Sequence, residues 1–160
     1  CFIWSLMHVF EKNIKELGIA IPDLPVALAN YVPYRIVDGM MYVSGQAPIK
    51  DGKMQYTGKV GADISIEDGI RAAELCCINI IAALKQGTNG NWDQLDSFVK
   101  LGGFVNSPDD FTDHPKIING ASDLLVKIFG DQGRHARFAV GSNSLPMNIS
   151  VEIDAIIKIK

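Results

Sequence analysis

Apolar and polar residues alternate along the chain in two different periods, and each change of period marks an element. Over residues 7–17, Phe10, Ile14 and Leu17 fall on one helical face, and Gly18 supplies a stop. Pro22 and Pro25 punctuate the connector that follows, so this helix reads as a cap on the domain rather than a second domain. Two short β-prone runs, 34–37 and 40–44, flank Asp38-Gly39, the turn chemistry of a tight hairpin, whose two central residues take positive φ. Asp51-Gly52 marks a second turn before a weaker strand at 54–57. Ser65, with Glu67 and Asp68 in the first turn, opens a helix. Ile66, Ile70, Ala73, Cys77, Ile80, Ile81 and Leu84 continue its apolar stripe to about Gly87. Residues 95–105 read as a strand in which Gly102-Gly103 predicts a bulge or a close backbone approach. A second helix spans 115–129 and stops at Gly130. Strands at 136–142 and 149–159 close the chain. In the latter, Val151, Ile153, Ala155 and Ile157 alternate with Glu152, Asp154 and Lys158, with Ile156 the apolar exception.

The order ββ(β)–α–β–α–ββ predicts an α+β fold, a mixed sheet with two long helices on one face. The other face needs a cover, and oligomerisation is the simplest one. A length of 160 residues suits one domain, and 48% hydrophobic residues with a net charge of −3 exclude a disordered chain. The same near-neutral charge argues against binding driven by phosphate neutralisation. Cys76 and Cys77 lie in the helical stripe as small core residues, and with Cys1 they form no Cys-x-x-Cys spacing, so a reducing, cytoplasmic compartment is expected. The apolar run 1–6 is too short to span a bilayer and lacks the marks of a leader. Met7 is a candidate start, with the preceding residues read through from upstream. No association with a membrane is expected.

Common phosphate-binding, metalloprotease and nucleophile-elbow motifs are absent. His8, His114 and His135 are too scattered to predict a shared metal, and no metal is expected. Ser44, at a strand end, reads on its own as a turn hydroxyl. Arg137 sits among small and apolar neighbours on a strand. It either makes a structural ion pair or presents its planar fork to a carboxylate ligand. Glu152 on the next strand is then its partner or a general base. Spacing alone favours the ion pair.

Five collinear segments carry more. Val32-Pro33-Tyr34, Val43-Ser44-Gly45-Gln46-Ala47-Pro48, Ala136-Arg137, Leu145-Pro146 and Val151-Glu152-Ile153-Asp154-Ala155-Ile156 resemble the RidA (YjgF-like) superfamily from about Asn30 onward. Residues 99–107, 118–123 and 133–137 are more similar still to the branch labelled endoribonuclease L-PSP. The resemblance implies a RidA-like domain at 30–160, preceded by an N-terminal extension at 1–29. It implies a chorismate-mutase-like fold and a homotrimeric barrel with three clefts between subunits. The implied activity is cofactor-free hydrolysis of reactive 2-imino or enamine acids to 2-oxo acids and ammonia, so the partner is a small carboxylate-bearing imine or oxo acid. Arg137 takes the place of the carboxylate-binding arginine, and Glu152 that of the acid near the water and imine. Tyr34 matches the tyrosine over the ligand, Ser44 and Gly45 the cleft-lining pair, and Asn119 the helix asparagine if a short insertion around 113–117 is allowed. Two departures stand out. His135 replaces the more usual proline, and Phe138-Ala139 stands where small polar residues, often ending in one that faces the ligand, are usual. A carboxylate-binding trimer without turnover is the alternative. A ribonuclease ranks below it, because the chain is slightly acidic and has neither an aromatic-basic cluster nor paired histidines.

Overall fold

A computed structural model describes residues 6–27 and 29–160. Residues 1–5, which include Cys1 and most of the leading apolar run, lie outside the described residues. Helix α1 (Val9–Glu16) is capped by His8, whose Nδ1 accepts from the Phe10 amide. Strands β1 (Tyr34–Val37) and β2 (Met40–Gln46) form the expected hairpin, with Asp38 at φ 51° and Gly39 at φ 76° in the turn. The short strands β3 (Ile49–Lys50) and β4 (Lys53–Met54) pair around Asp51-Gly52 in a separate two-stranded ribbon. This corrects the strand expected at 54–57: Tyr56 takes φ 52°, which breaks an extended run. Helix α2 (Ile66–Gly87) opens at Ser65, whose hydroxyl accepts from the Asp68 amide. Strand β5 (Leu95–Asn106), helix α3 (His114–Phe129) and strands β6 (Ala136–Ser142) and β7 (Val151–Ile159) complete the chain. β7 begins two residues later than its apolar pattern implied, because Met147 and Asn148 both take positive φ in the turn before it.

The main sheet runs β1-β2-β7-β5-β6, antiparallel except for the parallel β5–β6 pair that α3 connects. Both long helices cover one face, α2 over β7 and β2, α3 over β5 and β6. The alternation of β7 is obeyed: Val151, Ile153, Ala155 and Ile157 are buried beneath the helices, while Asp154 and Lys158 are exposed on the other side. Gly102-Gly103 marks close approach and no bulge, since pairing there is regular and the β5–β7 irregularities lie nearer Leu95 and Phe98. A Cβ on Gly103 would stand 2.7 Å from Ile118, so the missing side chain lets α3 settle onto the sheet. Cys76 and Cys77 are fully buried, and burial pushes both thiols up, which leaves them as inert core groups. Helix α1 adds Phe10 and Ile14 to the same core, where Phe10 meets the edge of Phe129. Burying each such side chain stabilises by about 1.5–3 kcal/mol. Trp92 donates to Glu11 at 2.6 Å and Asn13 donates to the Ile128 carbonyl, so α1 is tied to the domain by polar contacts too.

Candidate functional site

Strand register decides which candidates can meet. Arg137 pairs with Leu101 and Glu152 with Phe104 along the regular part of β5, an odd number of positions apart. Their side chains therefore leave opposite faces of the sheet. Arg137 turns toward α3, where Nη1 donates to Ser122 Oγ at 2.9 Å and Nη2 to the Pro115 carbonyl at 3.1 Å. Among the described residues no carboxylate lies within salt-bridge distance of it. The ion pair with Glu152 that spacing favoured is thus replaced by two neutral acceptors. A half-buried guanidinium held in this way has three further N–H groups to offer an anion.

Glu152 stands on the open face, half-buried. Burial first, and then the neighbouring Asp154, push its carboxyl above the usual carboxylate range. It lies over Gly45, where a Cβ would come within 2.8 Å of Glu152 Oε2. The β2–β7 register slips between Val43 and Gln46, so the local irregularity is what brings Ser44-Gly45 beside β7. Glu152, Gly45 and Gln46 line a cleft of about 370 Å³ together with Pro146, Met147 and connector residues such as Tyr31. Ser44 lies beside this cleft with its hydroxyl donated to the Val32 carbonyl at 2.7 Å, which ties the hairpin to the connector.

The remaining candidates sit elsewhere. Tyr34 pairs with Val43 and so faces the helices, close to Gly87 of α2. Asn119 is exposed and lines a shallow groove with Ile70 and Glu74 of α2. Phe138 lies on the face opposite Arg137, edge-on to Phe104 and beneath the Lys100 ammonium, while Ala139 shares the Arg137 side. The three histidines bond to three different partners, His8 to Asp93, His114 to Ser107 and His135 to Ser122. One chain thus carries an arginine on one face of the sheet and an acid in a cleft on the other. Ser122 escaped the sequence reading, because its role needs α3 to lie over β6. The only local sign is its spacing of seven from Pro115, two helical turns on the same face.

Residues 11–156 match the family described as "YjgF/chorismate mutase-like, putative endoribonuclease". Protein TCP17 of Trypanosoma cruzi is 38% identical over 148 residues, 92% of either chain. The "Putative regulator AldR" of Lactococcus lactis is 32% identical over 142 residues, covering 89% of this chain and 97% of that one. The crystal structure of protein Atu1372 from Agrobacterium tumefaciens superposes with a TM-score of 0.90 at 47% identity, over 95% of this chain and 93% of that one.

Proposed function

Since the chain belongs to the RidA/YjgF-like family, we propose that it hydrolyses 2-imino or enamine acids to 2-oxo acids and ammonia in clefts between the subunits of a homotrimer. The observation that supports this most is Arg137, a strand arginine anchored by neutral acceptors with no carboxylate partner among the described residues. Its fork fits a planar carboxylate, the one feature that every such substrate carries. An iminium carbon is already electrophilic, so positioning and one activated water suffice. An enamine acid first takes a proton from water at its β-carbon to become the iminium. Glu152 then accepts a proton as water adds to the C=N carbon and returns it to nitrogen, and the carbinolamine collapses to C=O as its hydroxyl proton passes to Glu152 and ammonia leaves. A carboxyl with a raised pKa suits both directions of that transfer.

Because one chain holds Arg137 and Glu152 on opposite faces, a working cleft in this reading takes the arginine from one subunit and the acid from its neighbour. The open face, with Tyr42, Phe104 and Val140 exposed, supplies the apolar surface for such an assembly. The test supplies 2-aminoacrylate from a pyridoxal-phosphate-dependent dehydratase and follows release of the 2-oxo acid. Wild type is expected to accelerate it and Arg137→Ala to lose the acceleration. Mixed oligomers of Arg137→Ala and Glu152→Gln chains should regain a fraction of it, since some clefts then receive both intact residues. Full activity in Arg137→Ala would refute the assignment. A second reading, carboxylate binding without turnover, is favoured by the 32% identical relative that carries a regulator's name. Arg137-dependent binding of a 2-oxo acid by a protein inert toward every imine would establish it instead.

A further inference from the structure

Behind Arg137 runs a hydrogen-bonded chain whose every direction follows from one backbone carbonyl. The Gly133 carbonyl can only accept, so His135 Nδ1, 2.7 Å away, carries a proton and donates it. In the neutral ring Nε2 is then a lone pair, and the Ser122 hydroxyl at 2.8 Å donates to it. With its proton committed, the Ser122 oxygen turns a lone pair to Arg137 Nη1 at 2.9 Å. Burial holds the imidazole below its ordinary range, against the Gly133 bond that raises it, and the Arg137 charge adds to the lowering. The ring therefore stays neutral and the chain keeps its polarity near neutral pH. His135, one residue before the edge strand β6, and Arg137 on it both bond Ser122 and so share the side that α3 covers.

We propose that Ser122 and His135 are positioning residues, which hold the Arg137 guanidinium in the one orientation that leaves its remaining N–H groups for a substrate carboxylate. The proposal rests on the reading of Arg137 as the carboxylate site and adds two residues that do not touch the ligand. A free arginine must give up the freedom of its long side chain when it binds, whereas one already held by two acceptors gives up less, so affinity rises without a new contact. Ser122 alone would serve poorly, because its hydroxyl could rotate its own proton toward Nη1. The histidine fixes that rotor.

The experiment titrates pyruvate into the intact protein by calorimetry at neutral pH and measures imine turnover in parallel. Arg137→Ala should abolish pyruvate binding. Ser122→Ala should weaken it by about tenfold or more, as expected when one hydrogen bond to a charged group is lost, and His135→Leu, which frees the Ser122 hydroxyl without removing it, by about threefold or more. Their KM should rise with kcat little changed, and Ser122→Thr, which keeps the hydroxyl, should bind as wild type does. Nitrogen-15 spectra of His135 should report a proton on Nδ1 and a lone pair on Nε2. If Arg137→Ala abolishes binding while Ser122→Ala and His135→Leu bind as wild type, the positioning role is overturned and the carboxylate site stands. If wild type and Arg137→Ala bind alike, the carboxylate site itself falls. A proton found on Nε2 would also overturn the chain of donors.

Discussion

Glu152 and Ser150 sit two positions apart at the start of β7, and both are uncomfortable where they are. Glu152 has its carboxyl raised by burial and by Asp154, so the fold retains a proton there that the unfolded chain has already released. Its contribution to stability therefore falls as pH rises from the ordinary carboxylate range through its raised folded pKa. Glu152→Gln removes that penalty, and melting temperatures measured across the window should show a shallower decline with pH than wild type. If Glu152 is the proton carrier, the same variant should lose about 10²–10⁴-fold in imine turnover. A protein that melts less steeply yet turns over normally would keep the electrostatics and remove the chemistry. Ser150 is fully buried, and its hydroxyl has no hydrogen-bond partner among the described residues. Such an orphan costs about 1–3 kcal/mol, so Ser150→Ala should raise the melting temperature by a few degrees. A fall instead would mean that the hydroxyl is satisfied inside the domain, by a buried water.

The two long helices owe their closeness to a residue that helix propensity disfavours. Gly120 lies in the middle of α3, yet a Cβ there would collide with the Ile70 carbonyl oxygen of α2 and stand 3.1 Å from Ile70 Cγ2. By propensity alone, Gly→Ala in a helix gains about 1 kcal/mol. Backbone cannot step aside as a side chain can, so Gly120→Ala should destabilise by about 1–3 kcal/mol, the usual cost of overpacking. Denaturant midpoints check the sign, and a stabilised variant would show that the helices slide apart freely. The strands tell the same story of local and non-local terms. The Asp38-Gly39 hairpin and the period-2 pattern of β7 were legible because each depends on neighbours in sequence. The strand expected at 54–57 failed because one left-handed residue, Tyr56, ended it, and no propensity marks a tyrosine for that conformation.

Among the described residues no helix covers one face of the sheet, and exposed Tyr42, Phe104 and Val140 lie on it. If this face is buried between copies, Phe104→Asp should shift sedimentation from trimer toward monomer and lower imine turnover with it. A trimer that survives the charge would place the contact elsewhere. The fold class, the two helices and the identity of Arg137 and Glu152 as candidates all came from periods of two and 3.6 and from collinear motifs, which are properties of the chain read in order. Spacing could not say whether those two residues meet. The register of β5 against β6 and β7 sets them on opposite faces, and the packing of α3 on β6 gives Arg137 two neutral acceptors instead of the acid that spacing favoured. The same packing joins Ser122, which the sequence did not single out, to His135, which it marked only as a departure from the more usual proline. Local order is written into a chain by steric preferences acting over a few residues. Which side chains touch across a domain depends on register and on the depth to which helices settle, here set by Gly103 and Gly120, and that information exists only once the core has closed.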